Sequence, residues 1–150
     1  NLKFINKKLV IPTNTDLFII DSDTGTSLMR LPFKSKVNPI SYGDHIFFVN
    51  DNNLLVCINL KTNKIIYSIS LKKIISNVLK KDDHNTNIKS IRFINNNLNF
   101  FLNDMEIIIF DKKAQFKALK KLSKKPKSEI IFLNDKLYYL DKKKTLVVLN

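Results

Sequence analysis

"LFIIDSDTG" runs from Leu17 to Gly25, and "LVCINLKTN", from Leu55 to Asn63, repeats its plan. In both, an apolar run closes on Asp or Asn, and a Thr with a turn-forming residue behind it follows three positions later. A plan written twice, with starts 38 residues apart, points to a repeat architecture whose period can be read along the chain. Anchoring each copy on the apolar residue of its second oily segment gives Leu9, Ile46, Leu98 and Leu137, with intervals of 37, 52 and 39. The long middle interval marks an insertion, residues 73–86, and the units fall at about 1–37, 38–87, 88–127 and 128–150.

Every unit reads alike. A short strand ("LKFIN", "NPISYG", "SIRFIN", "EIIFLN") and a polar turn lead to a second strand ("KLVI", "HIFFV", "LNFFL", "KLYYL"). A tip loop of Asn, Asp, Thr and Lys precedes a third strand ("LFII", "LLVCI", "EIIIF", "LVVL"), closed by Asp21, Asn59, Asp111 or Asn150. Three units continue into a fourth strand: "TSLMRLPF", "KIIYSISL" and "FKALKKL". Runs of four to six residues dense in β-branched and aromatic side chains, bounded by turn formers, predict strands and leave no room for ordinary helices. The third strands are apolar at every position instead of alternating, which predicts cover on both faces. With no crossover helices to supply it, the cover must be neighbouring copies of the same sheet. That describes an all-β fold, a β-propeller of four-stranded antiparallel blades, with about four blades present. The last unit stops after its third strand, and the first offers no spare outer strand. The expectation is therefore a segment of a larger ring of seven or eight blades.

The repeated turn carries a resemblance. Asp21, Thr24, Gly25 and Met29 resemble the D-x-x-T-G-x-x-x-W signature of PQQ-type propeller repeats, found in quinoprotein alcohol dehydrogenases and in BamB-like outer-membrane assembly lipoproteins. Asn59, Thr62, Asn63 and Tyr67 fall on the same positions in the second unit, and Asp111, Ala114, Gln115 and Leu119 in the third. The Asp or Asn ends the strand and bonds the turn backbone, while Gly25 accepts a positive φ that Asn63 tolerates. Where the family has Trp, this chain has Met29, Tyr67 and Leu119, which keep the hydrophobicity without the aromatic anchor. The resemblance implies a location in the cell envelope or periplasm, with a role as a non-catalytic scaffold for protein–protein interaction in outer-membrane protein assembly.

Composition narrows the chemistry. The 26 Lys and Arg against 13 Asp and Glu leave a net charge of +13, enough to attract polyanions or an anionic membrane surface. Yet only Arg30 and Arg92 are arginines, and in the densest basic stretch, Lys117–Lys127, neither arginines nor stacking aromatics interleave with the lysines, as specific nucleic-acid recognition would require. The polyanion-binding module is thus an alternative, and no specific nucleic-acid partner is expected. A second alternative, implied by the family, is a quinoprotein-type dehydrogenase segment. It would need PQQ and a calcium held by Glu, Asn and Asp oxygens. Glu occurs only at Glu106 and Glu129, and the Asp and Asn residues fall in turns, so no catalytic, cofactor or metal ligand is assigned. His45 and His84 stand apart from any ligand cluster, although "DDHN" at Asp82–Asn85 offers a weak cation loop. The single Cys57 lies inside an apolar run and reads as a small buried hydrophobe.

Two basic stretches remain. In "LKKIISNVLKKDDHN", Leu71–Asn85, the residues Ile74, Ile75, Val78 and Leu79 recur at helical spacing, flanked by Lys80 and Lys81. This predicts a short amphipathic helix in an inter-blade loop that either caps the fold or meets a protein partner. In "KALKKLSKKPK", Lys117–Lys127, the lysines sit on an outermost strand, where they discourage edge-to-edge pairing.

Overall fold

The computed structural model describes residues 2–80, 87–102, 105–134 and 136–149. Its strands are β1 (Lys3–Ile5), β2 (Lys8–Pro12), β3 (Leu17–Asp21), β4 (Ser27–Leu31), β5 (Ile40–Tyr42), β6 (His45–Val49), β7 (Leu54–Asn59) and β8 (Lys64–Ser70). After α1 (Leu71–Leu79) come β9 (Ile88–Ile94), β10 (Asn97–Leu102), β11 (Glu106–Asp111), β12 (Phe116–Lys121), β13 (Ile131–Leu133), β14 (Lys136–Leu140) and β15 (Leu146–Leu149). They form four antiparallel meanders: β1-β2-β3-β4, β5-β6-β7-β8, β9-β10-β11-β12 and the three-stranded β13-β14-β15, here called sheets 1 to 4. The chain has the β-propeller fold that its repeats predict.

Two compact units, Asn1–Ile91 and Arg92–Asn150, each hold a core made where two sheets stack. In the first, Val10, Leu17 and Ile19 on the forward face of sheet 1 meet Ile46, Phe48, Val56 and Ile58 on the backward face of sheet 2. In the second, Phe101, Ile107 and Ile109 on sheet 3 meet Leu137, Tyr139, Val147 and Leu149 on sheet 4. The period-2 alternation of a strand decides which residues go forward and which backward. Phe33 stacks on Phe48 with ring centroids 5.2 Å apart, extending the first core into the β4–β5 connector.

The expected two-sided cover of the third strands is found at β7, where Leu55 through Ile58 are all buried, and at β11, where Ile107, Ile108 and Phe110 are. It fails at β15: Val147 is buried, but Leu146 and Val148 remain 60% and 45% exposed. Each of the β3–β4, β7–β8 and β11–β12 ladders also slips by one residue two positions before its closing Asp or Asn, making bulges at Leu28, Ile66 and Lys117.

Candidate interaction surface

Antiparallel meanders place their turns alternately at two ends. In each unit one end gathers the β1–β2 and β3–β4 types of turn, and the repeated motif lies there. Asp21 Oδ1 accepts hydrogen bonds from the backbone N–H of Asp23 (3.1 Å) and Thr24 (2.9 Å) and from the Thr24 hydroxyl (2.9 Å), while Gly25 sits at φ +72°. The Thr24 N–H and hydroxyl together hold the Asp21 carboxyl below its ordinary pKa. Asn59 does the same work on Lys61 N–H (2.8 Å) and Thr62 N–H (3.1 Å), with Asn63 at φ +53°. These side chains close turns.

The third copy departs from this pattern. Asp111 Oδ1 binds the N–H groups of Lys113 and Gln115, both at 2.9 Å, and the positive φ falls on Ala114 (+63°) instead of Gln115. The turn is one residue shorter, which corrects the sequence alignment beyond it. Met29 pairs with Ile19 and Tyr67 with Cys57, two residues before their closing Asp or Asn; in sheet 3 the residue opposite Ile109 is Ala118. Leu119 is thereby displaced from the Met29 and Tyr67 position to the other side of the strand, where it is 42% exposed, because a one-residue slip inverts every side chain. The Cys57 thiol, buried beside Tyr67, is pushed up to about 11 by burial and so is no nucleophile at neutral pH.

The opposite end of each unit gathers its tip turns and the connector between its two sheets. Asn50 Oδ1 accepts from Asn52 N–H (3.0 Å) and Leu54 N–H (2.9 Å), and Asp141 Oδ1 from Lys143 and Thr145 N–H (both 2.9 Å); Asn53 and Lys144 take positive φ. A connector crosses each of these turns. Ser35 bridges Asn50 and Lys36 N–H donates to Val49 C=O at 2.7 Å; Pro126 bridges Asp141 and Lys127 N–H donates to Leu140 C=O at 2.8 Å. Side chains reinforce the crossing: Lys36 Nζ donates to Asn53 Oδ1 at 2.8 Å, and Lys124 Nζ lies 3.3 Å from Asp141 Oδ2. The buried Tyr139 hydroxyl donates to Lys124 C=O at 2.9 Å. Sequence reading saw only polar loops here, although the strings "DKKA" and "DKKK" at Asp111 and Asp141 announce the same turn.

In the first unit this end carries an open, polar groove of ≈ 410 Å³ between Pro12–Asn14 and Lys34–Pro39, with Lys34 and Lys36 on its wall. The same end carries α1. Its first N–H, from Leu71, donates to Asn53 C=O at 2.9 Å, and its last turn closes where Lys80, in the left-handed region, donates its N–H to Ser76 C=O. Leu71 and Ile75 are fully buried; Ile74, Val78 and Leu79 are half-buried and Lys80 is exposed. Ile75 is thus removed from the predicted partner contacts, because it anchors the helix to its own unit. The element begins at Leu71, two residues before the predicted insertion. Lys81, His84 and the Asp82–Asn85 loop lie outside the described residues, and among the described residues no three His, Cys, Asp or Glu side chains converge.

No protein-family model matches the chain, and no curated protein matches it in sequence. Solved structures do. BamB from Moraxella catarrhalis superposes with a TM-score of 0.73 at 13% identity, over 99% of this chain and 41% of that one. Sqt1 from Saccharomyces cerevisiae gives 0.65 at 17%, over 99% and 44%. Both are β-propeller proteins, and at these identities the shared property is the fold. The chain spans less than half the length of either.

Proposed function

We propose that this chain is a propeller segment acting as a protein-interaction scaffold, that its partner docks on the tip-turn and connector end, and that it works in the cell envelope during outer-membrane protein assembly. The observation that carries the docking site is the stitching of the connectors. Lys34 and Lys36 are carried by a connector pinned to the Asn50 turn, beside a helix whose Ile74, Val78 and Leu79 retain exposed apolar surface. Fixed cations next to apolar edges suit a partner presenting carboxylates around an apolar core, and a rigid presentation keeps the ordering cost of binding low. The likeness to BamB supports the envelope setting, and the seven- or eight-blade ring belongs to the same reading.

A photo-crosslinking residue placed at Asn38 or Val78 tests it, with the exposed Lys61, at the opposite end of the same unit, as the control. Adducts to a protein from Asn38 and Val78 alone, in an envelope fraction, are expected. Adducts from Lys61 alone, or only from a cytosolic fraction, overturn the docking end or the setting respectively.

A further inference from the structure

The basic stretch "KALKKLSKKPK" divides between two elements. Lys117, Lys120 and Lys121 lie on β12, but Lys124, Lys125 and Lys127 lie on the connector that leaves it, and that connector crosses the Asp141–Thr145 turn of sheet 4. The crossing is fixed by the Pro126–Asp141 bridge, by Lys127 N–H on Leu140 C=O and by the Tyr139 hydroxyl on Lys124 C=O. Between Asp141 and Thr145 the turn reads Lys142-Lys143-Lys144. Two lysine-bearing segments remote in sequence are thus held side by side, and all six of their lysines are exposed.

Little negative charge offsets them. Asp141, 5% exposed, faces Lys124 at 3.3 Å and the N–H groups of its own turn, and Glu129, just past the connector, is ion-paired with Arg92 at 3.8 Å. Among the described residues no carboxylate lies within ion-pair distance of Lys125, Lys127, Lys142, Lys143 or Lys144.

The turn itself does not require this charge. In sheet 2 the matching turn, crossed by its own connector at Ser35, has the same two main-chain bonds and reads Asn50-Asp51-Asn52-Asn53. Its left-handed position holds Asn53 at φ +57°, a residue suited to that region; in sheet 4 the position holds Lys144 at φ +62°. Lysine stands where the backbone favours Asn, so its charge has a use outside the turn. A sheet's neighbours in a ring cover its faces, and the connector over this turn is the chain's own, so the lysine cluster owes nothing to a bare sheet face.

We propose that this crossing, the β14–β15 turn with the β12–β13 connector, docks on an anionic lipid surface. Ammonium groups on flexible stems, fanned out on convex turns, suit headgroup phosphates that diffuse into place around them. A protein partner would require an apolar centre, and a polynucleotide would favour arginine and stacking aromatics; the cluster supplies neither.

Co-sedimentation at about 0.1 M salt with phosphatidylcholine vesicles containing about 30% phosphatidylglycerol should retain the chain, and pure phosphatidylcholine should not. Lys142→Gln, Lys143→Gln and Lys144→Asn together should lower the partition about a hundredfold, at about fivefold per lysine, without lowering the thermal midpoint. Lys61→Gln, Lys64→Gln and Lys89→Gln, at exposed positions of the first unit, remove the same charge and should cost less than about threefold. Equal losses in the two triple variants would reduce the binding to net charge and overturn the proposal. So would equal retention by neutral vesicles, displacement by about 10 mM inorganic phosphate at constant ionic strength, or tighter binding to a DNA duplex or polyglutamate at matched charge concentration. No protein partner enters these readouts, so they stand apart from the docking proposed for the first unit.

Discussion

Arg30 Nε lies 2.8 Å from Asp16 Oδ1, tying the outer strand of sheet 1 to its tip turn. The same guanidinium stands 5.6 Å above the Phe18 ring, its cross-strand neighbour, and so covers part of the backward face. Asp16 is buried while Arg30 is largely exposed, and the pairing is set across the β3–β4 ladder.

The acid response follows from this contact and two like it. The Arg30 guanidinium and the Thr15 hydroxyl hold the Asp16 carboxyl below its ordinary value of 3.8; turn N–H groups, first those of Thr24 and Thr145, do the same for Asp21 and Asp141. A depressed folded-state pKa means that the unfolded chain binds more protons near pH 4. The stabilisation is complete above that range and is lost as pH falls through the folded values. Thermal midpoints recorded from pH 6 to pH 2 should fall below pH 4, and Arg30→Gln should reduce the part of that fall due to Asp16. A flat profile would exclude these carboxylates as contributors.

Burial on both faces makes β7 and β11 the least tolerant strands. Val56→Asp or Ile108→Asp places a charge where the exposure is 1% or 0%, and should cost at least about 3–5 kcal/mol. Urea denaturation of either variant should show no native baseline; a retained cooperative transition would count against stacked blades.

At Gly25 a Cβ would meet no atom within 4 Å, so the penalty of Gly25→Ala is purely that of φ +72°. It should be about 1 kcal/mol. Asn63→Gly, at φ +53°, relieves the backbone but removes the Oδ1 that accepts from Lys8 Nζ, so it should destabilise by about 1 kcal/mol. Paired denaturant midpoints measure both.

The helix offers a contrast between neighbours on one element. Ile75→Ala empties a fully buried position and should destabilise by about 2–4 kcal/mol. Val78→Lys, at a half-buried site, should cost less than about 1 kcal/mol. Equal losses would mean that α1 seats by its whole apolar stripe.

Cys57 gives a probe for all these variants. With its thiol pushed up to about 11 and the side chain 1% exposed, it should resist alkylation at pH 8 in the native chain and react on unfolding. Rapid native labelling would show that β7 opens locally.

The strands were legible from composition, β7 most of all, since "LLVCI" leaves no polar position for water; "LVVL" is as apolar yet keeps one face exposed, because composition does not say what lies against a sheet. Register was less so. Leu28 and Ile66 are aliphatic and Lys117 is charged, yet all three are bulge residues, because a bulge is set by how the preceding turn closes. Leu119 was misplaced for the same reason: "DKKAQ" and "DSDTGT" both begin with a closing Asp, but the first needs one residue fewer. The Tyr139 hydroxyl anchor and the Lys36–Asn53 contact join residues 15 and 17 apart through geometry that no local pattern encodes.

The crossings Ser35↔Asn50 and Pro126↔Asp141 have a mechanical consequence. A linker tacked to the neighbouring hairpin by main-chain bonds has no slack, so the two sheets of a unit cannot hinge about it. Under load each pair should yield in one step as a plate instead of unrolling, and single-molecule extension would record one rip per pair.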